Sequence, residues 1–141
     1  MRLIVVDASI LFSFFKPESF TRNLLKSVYL KGAKLIAPDF ALDELYALKQ
    51  KICKFCGIGG LEFIISFVIL SEIIDVVPRD EFKKFESKAL GLLPGHTKDM
   101  PYFALALSSD CVIWSNEKRF KKQSDVGIFT TDDIERFFDI R

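Results

Sequence analysis

Asp7, Glu44, Asp99 and Glu117 are scattered over almost the whole of a 141-residue chain, yet each lies at the edge of an apolar run. Asp7 directly follows Leu3–Val6. Glu44 stands near the start of the segment behind Lys34–Ala37. Glu117 follows Cys111–Trp114 after Ser115 and Asn116, and Asp99 opens the stretch that leads into that same run. If these runs are strands of one parallel sheet, the carboxylates meet on one rim, because functional groups gather at the carboxyl ends of such strands. A helix feeding a strand returns its own N-terminus to that edge, which brings in Asp99. Four negative charges so placed repel one another, and without a counter-charge some must take up protons. A divalent cation removes the conflict. All-oxygen donors suit Mg²⁺ or Mn²⁺, with water in the remaining positions. Such ions commonly act on phosphates, so phosphodiester hydrolysis is the implied reaction class. It needs no serine–histidine pair, and His96 is the chain's one histidine.

Each acid also has a plainer reading. Asp7 suits a helix cap or a turn, and Glu44 and Asp99 suit the first turn of a helix, where the dipole favours negative charge. Glu117 stands among Lys118, Arg119, Lys121 and Lys122 and suits a surface ion pair. The quartet is more persuasive than any member. The lysines and arginine around Glu117, interleaved with Trp114 and Phe120, form the strongest basic patch and would hold a phosphate backbone at the rim. Lys49, Lys51 and Lys54 form a weaker one. Cys53-x-x-Cys56 lacks a second ligand pair, so two small residues on one helix face is its better reading. Gly57-Ile58-Gly59-Gly60 follows a helix and lacks the lysine and hydroxyl residue of a phosphate loop, so it reads as a helix connection.

The elements that must position the rim alternate regularly. Five β-like runs, Leu3–Val6, Lys34–Ala37, Ile73–Val77, Cys111–Trp114 and Val126–Phe129, are separated by helical patterns. Ser19 caps a helix that ends at Gly32, with Leu24, Leu25 and Val28 on one face. A second helix follows Pro38-Asp39 and faces inward through Leu42, Leu45, Tyr46, Ile52 and Cys53, with Lys49 marginal. Leu61–Leu70 resumes as a largely buried helix. Asp80–Leu93 is amphipathic through Phe82, Phe85, Ala89 and Leu92, and Pro94-Gly95 stops it. Thr97 caps the next helix, which tolerates Pro101 in its first turn; Thr131 caps the last, Asp132–Ile140. Almost wholly apolar strands alternating with helices predict an α/β fold: a single-domain α/β/α sandwich over residues 1–141 around a central, mainly parallel five-stranded sheet.

Composition agrees. Half the residues are hydrophobic and 20 Lys+Arg are matched by 19 Asp+Glu, for a net charge of +1. That excludes disorder, a coiled coil and a histone-like polycation, and confines nucleic-acid binding to a local patch. The charge-free apolar stretch Phe63–Ser71 falls short of the ~20 residues of a membrane span, and Asp7 interrupts the N-terminal apolar run too early for a signal peptide. Three cysteines do not form an even disulfide set, which points to the reducing cytoplasm.

The pieces Ile4-Val5-Val6-Asp7-Ala8-Ser9, Ala37-Pro38-Asp39-Phe40 with Glu44-Leu45, Asp99 with Tyr102-Phe103-Ala104-Leu105-Ala106, Val112 through Phe120, and Ile128-Phe129-Thr130-Thr131-Asp132 recur in that order along essentially the whole chain. In this the chain resembles the PIN domain, the fold of many metal-dependent ribonucleases, including the toxins of VapBC toxin–antitoxin modules. The resemblance implies that Asp7, Glu44, Asp99 and Glu117 are acidic metal-site positions for Mg²⁺ or Mn²⁺. It also implies that Ser9 and Ser115 lie near metal and phosphate, with Asn116 and Lys118 beside them on the substrate side. It implies RNA as substrate, a homodimer, and an antitoxin partner if the chain is a toxin. One departure stands out. The family's fourth motif usually reads Ser/Thr-x-Asp-x-Asp-Phe; here it is Ser115-Asn116-Glu117-Lys118-Arg119-Phe120, so Glu117 reaches one methylene farther and Arg119 replaces the second acid. A module that binds RNA or a protein without cutting is therefore the competing expectation. A phosphotransfer receiver lacks its paired acids after the first strand and its lysine after the last.

Overall fold

The apolar runs do become strands, and they do so because both of their faces are buried. The computed structural model describes residues 2–140. β1 (Leu3–Val6), β2 (Lys34–Pro38), β3 (Ile74–Val77), β4 (Val112–Trp114) and β5 (Ile128–Phe129) form one parallel sheet in the order β3-β2-β1-β4-β5. Eight α-helices flank it among the described residues: α1 (Ala8–Ser13), α2 (Phe20–Leu30), α3 (Ala41–Ala47), α4 (Lys49–Cys56), α5 (Gly60–Ile73), α6 (Glu86–Leu92), α7 (Met100–Ser109) and α8 (Thr131–Phe138). Successive strand residues face opposite sides. Ile4, Val6, Leu35, Ala37 and Trp114 pack into one apolar cluster with α1 to α5 and α8. Val5, Ile36 and Ile113 pack into a second with Phe82, α6, α7 and Phe120. Two covered faces explain strands that read as continuous hydrophobic runs. Each fully buried aliphatic or phenyl side chain contributes roughly 1.5–3 kcal/mol; Phe14, Phe63 and Phe103 are among them.

This strand order sets the place of the site. The chain moves outward from β1 through β2 to β3, then returns to lay β4 and β5 on the other side of β1. The direction reverses between β1 and β4. Above such a switch point the two outgoing loops diverge and leave a crevice at the carboxyl ends of the strands.

Several element boundaries differ from the sequence expectation, each for a local reason. A six-residue helix, α1, starts directly at β1's exit, unanticipated, because the Asp7 side chain accepts a hydrogen bond from Ala8 N and caps it. The helix expected from Asp39 onward breaks at Leu48 (φ −93°, ψ 15°) into α3 and α4. Tyr46 consequently lies 49% exposed instead of facing inward, although its ring still meets Phe63 and Phe67 edge-on. Leu61–Leu70 is a helix, but Leu61, Ile65 and Val68 are exposed, so only one side of it is core. Asp80–Leu93 is two short 3₁₀ turns followed by α6, since buried Phe82 sits outside helical geometry at φ −128°. The last helix is capped by Thr130 and not Thr131: the Thr130 hydroxyl accepts from Asp133 N, and the Asp133 carboxylate accepts from Thr130 N. The glycine-rich segment joins α4 to α5 as expected, with Gly57 supplying a left-handed turn at φ 67°. No single helix among the described residues is long and apolar enough to cross a membrane; α4 and α5 are bent by 107° at their junction.

Candidate active site

Asp7 is the first residue beyond β1, and its amide still donates to Trp114 O on β4 at 3.1 Å. The pairing of the two central strands thus runs into the crevice and carries the carboxylate with it. Asp7 is only 5% exposed. Its Oδ1 accepts from Ala8 N at 2.9 Å, and its Oδ2 accepts from the hydroxyls of Ser9 at 3.0 Å and Ser115 at 2.8 Å. Ser115, almost fully buried at the exit of β4, in turn accepts from Glu117 N at 3.0 Å. One hydroxyl therefore ties the two exit loops together. Burial pushes the Asp7 carboxyl above its ordinary value, and Glu117's charge adds to this; the bonds from Ser115, Ser9 and Ala8 oppose it without cancelling it.

Asp99 reaches the rim from the start of α7. Thr97 was expected to cap that helix, but Thr97 and Lys98 lie in the preceding turn and Asp99 takes the cap position, with Pro101 in the first turn. Its side chain makes no capping bond, so the carboxylate is left to the crevice. Burial raises its pKa, the charge of Asp7 raises it further, and Arg119 and His96 offset part of the rise. Each of the two inner acids is thus held by burial in a state that disfavours its charge.

Glu117 behaves differently. It caps the 3₁₀ turn Lys118–Lys122, accepting from Arg119 N at 3.3 Å and from Arg119 Nε at 3.1 Å. The guanidinium holds the Glu117 carboxyl below its ordinary value. From there Arg119 extends Nη2 to Asp99 Oδ2, 3.5 Å away, and Nη1 to the His96 ring. The sequence presents Arg119 as a replaced acid and as part of a basic patch, and gives His96 no place at the rim. Both reach the rim, and the available signal was their spacing of two and three residues from Glu117 and Asp99.

Glu44 is exposed on α3 and joins Asp99 and Tyr102 in lining a cavity of about 680 Å³. Phe40, Leu48 and Pro101 form its apolar wall, and Lys98 stands at its edge. Tyr102 is buried against Phe40; burial, with the charges of Asp7, Glu44 and Asp99, pushes its hydroxyl pKa far up, so the phenol stays neutral. Ser9 faces Asp7, as described. Asn116 does not turn to the crevice: its amide donates to Thr131 Oγ1 at 2.9 Å and accepts from Thr131 N at 2.8 Å, clamping the start of α8. Lys118 and Lys122 are exposed on the turn beside Glu117, and Lys121 lies 3.9 Å from Asp133. Cys53 and Cys56 lie on α4 with no second ligand pair; Cys53 Sγ approaches Gly59 O at 3.8 Å.

Among the described residues no three acidic, histidine or cysteine side chains converge at ligating distance on one point. That requirement suits zinc better than magnesium, which keeps several waters and is commonly bound through one or two carboxylates and substrate phosphate. Asp7 and Asp99 offer two such carboxylates. Their donors are hard oxygens, and burial, the chief cause of their raised pKa values, leaves their charges poorly solvated, a condition that a cation relieves.

Comparison with known proteins bears on the family and the fold. A family model described as "PIN domain" matches residues 5–136. Among solved structures, VapBC2 from Rickettsia felis, bound to a DNA fragment from its promoter, matches with a TM-score of 0.62 and 14% identity, over 91% of this chain and 98% of that one. At that identity the likeness is one of fold. Comparison with curated proteins gave no match.

Proposed function

The chain belongs to the PIN-domain family, and from that premise we propose that it is a metal-dependent endoribonuclease that hydrolyses RNA phosphodiester bonds at the crevice between β1 and β4. The observation that carries the reading is Asp7: a buried carboxylate at the switch point, its pKa raised, with two serine hydroxyls fixing one oxygen. Stability alone does not favour such a group, and perturbed carboxylates in a cleft mark functional sites.

Asp7 and Asp99 would hold Mg²⁺ or Mn²⁺, with Glu44 across the cavity and Glu117 at the outer margin. When bound, the ion supplies charge neutralisation at the phosphate and activation of water. The remaining tasks fall to the chain. Ser9 and Ser115 fix the orientation of the Asp7 carboxylate. Lys118 and Lys122 offer ammonium groups to the sugar–phosphate backbone from the turn beside Glu117. The cavity walled by Phe40, Leu48 and Pro101 receives the nucleotide next to the scissile phosphate, where apolar surface accepts an unstacked base. In the reaction a water oxygen bonds to phosphorus while the bond to the leaving sugar oxygen breaks, and that oxygen gains the equivalent of the proton the water gives up. The likeness to VapBC2 supports an antitoxin partner, and the exposed apolar side chains Phe55, Leu61, Ile65 and Val68 on α4 and α5 supply a surface for a second copy. Three free cysteines support a cytoplasmic setting.

The test is cleavage of labelled RNA of mixed sequence with Mn²⁺ or Mg²⁺, comparing the natural chain with Asp7→Asn. Cutting that needs metal, stops with a chelator, and falls by about a hundredfold or more in the variant is the expected result. RNA binding that survives chelation, with no cutting across a range of RNAs, would instead establish the binding-module reading, which the arginine in the acidic rim favours.

A further inference from the structure

The acidic rim already contains a cation. Arg119 places its guanidinium between Glu117 and Asp99, with Nε 3.1 Å from Glu117 Oε1 and Nη2 3.5 Å from Asp99 Oδ2, while Nη1 meets the His96 ring. Three segments converge on it: the turn after β4, the loop before α7 and the cap of α7. Its basic neighbours do otherwise: Lys118 and Lys122 stand out in solvent and Lys121 turns toward Asp133. An arginine stays charged at any working pH, and its planar fork matches carboxylate geometry. It does not bond Asp7, whose oxygens are taken by Ala8 N, Ser9 and Ser115.

We propose that Arg119 is a tethered counter-cation that competes with the divalent ion for Asp99, so that this chain requires a higher metal concentration than its carboxylates alone would. The inference rests on the metal-site reading above and deepens it. A charge anchored two residues from Glu117 faces Asp99 at an effective concentration in the millimolar range. When the ion enters, Nη2 leaves Asp99 and the guanidinium remains on Glu117, which holds it through the shorter contact and through the Arg119 amide. Glu117 is then the resting place of Arg119, and the ion belongs to Asp7 and Asp99. Arg119 is accordingly a positioning residue that sets metal affinity.

The experiment is calorimetric titration of the full chain with Mn²⁺, without RNA, for the natural protein, Arg119→Ala, Arg119→Lys and Asp7→Asn, each checked for an unchanged circular dichroism spectrum. Arg119→Ala should bind Mn²⁺ about tenfold more tightly or better, because a unit charge a few Å from the ion is removed. Arg119→Lys, which keeps the charge and loses the fork, should fall between the two. An Arg119→Ala affinity equal to or weaker than that of the natural chain overturns the proposal and leaves an ordinary ion pair. Loss of Mn²⁺ binding in Asp7→Asn is expected on either outcome. If Asp7→Asn binds as the natural chain does, or if neither the natural chain nor Arg119→Ala binds, the metal-site reading fails and the Arg119 proposal fails with it.

Discussion

Asp7 and Glu117 carry the same charge on the same rim, and their surroundings treat it in opposite ways. Asp7 is buried at the end of a central strand, answered by serine hydroxyls and an amide, and its pKa is raised. Glu117 is half-exposed on a turn, gripped by Arg119, and its pKa is lowered. Neutral donors orient a carboxylate without cancelling its field, whereas a guanidinium cancels it. The inner acid is kept at a cost to stability, and on the proposed reading a cation from outside completes it. The outer acid is completed from within the chain. Asp99 stands between the two regimes, raised by burial and by Asp7 yet touched by Arg119.

Breaking the inner regime has the largest expected effect. Asp7→Asn should abolish metal-dependent cleavage, and yet the metal-free protein should melt no lower than the natural chain, since asparagine also caps α1 and the unfavourable charge is gone. A melting temperature lower by several degrees would show that the Asp7 charge stabilises the fold and would end the contrast. Next comes Ser115→Ala, which removes a buried hydroxyl that donates to Asp7 and accepts from Glu117 N. Urea unfolding should show a loss of about 1–3 kcal/mol, the usual effect of leaving such partners unsatisfied.

The pH dependence of metal-free stability sharpens the comparison with a smaller signal. Asp7 is held above its ordinary value of 3.8, so its contribution is complete below that pH and is lost as pH rises through the folded-state value. Glu117 is held below its ordinary 4.5, so its contribution is present above that pH and is lost as pH falls through the folded-state value. Urea midpoints measured across the acid range should therefore show the natural chain losing stability relative to Asp7→Asn as pH rises, a relative loss that Mn²⁺ counteracts. The smallest effect belongs to Glu117→Gln. Its partner is screened by water, and differential scanning calorimetry should place its melting temperature within about two degrees of the natural chain.

The sequence made the sheet and most of the rim legible because both depend on local pattern. Apolar runs such as Ile4-Val5-Val6 can bury two faces only inside a covered parallel sheet, and acids directly behind them fall at its carboxyl edge. What it hid was decided at close range by competing bonds. Thr97 and Asp99 are both good caps, and only the turn through His96 selects Asp99. Leu48 looks helical, yet its backbone leaves helical geometry and splits the expected helix in two. Asn116 sits in a site-like motif, yet Thr131 takes both of its amide groups.

By itself, then, the sequence determined the strand runs, the helical amphipathicity and the acids available at the strand ends, since these follow from residue type and period. Which charge meets which partner was left to the tertiary structure. Ser115 finds Asp7 across 108 residues because β4 lies against β1, and Arg119 reaches Asp99 because the turn after β4 and the cap of α7 share one crevice. Electrostatic energy depends on distances of a few Å, and only packing sets those distances.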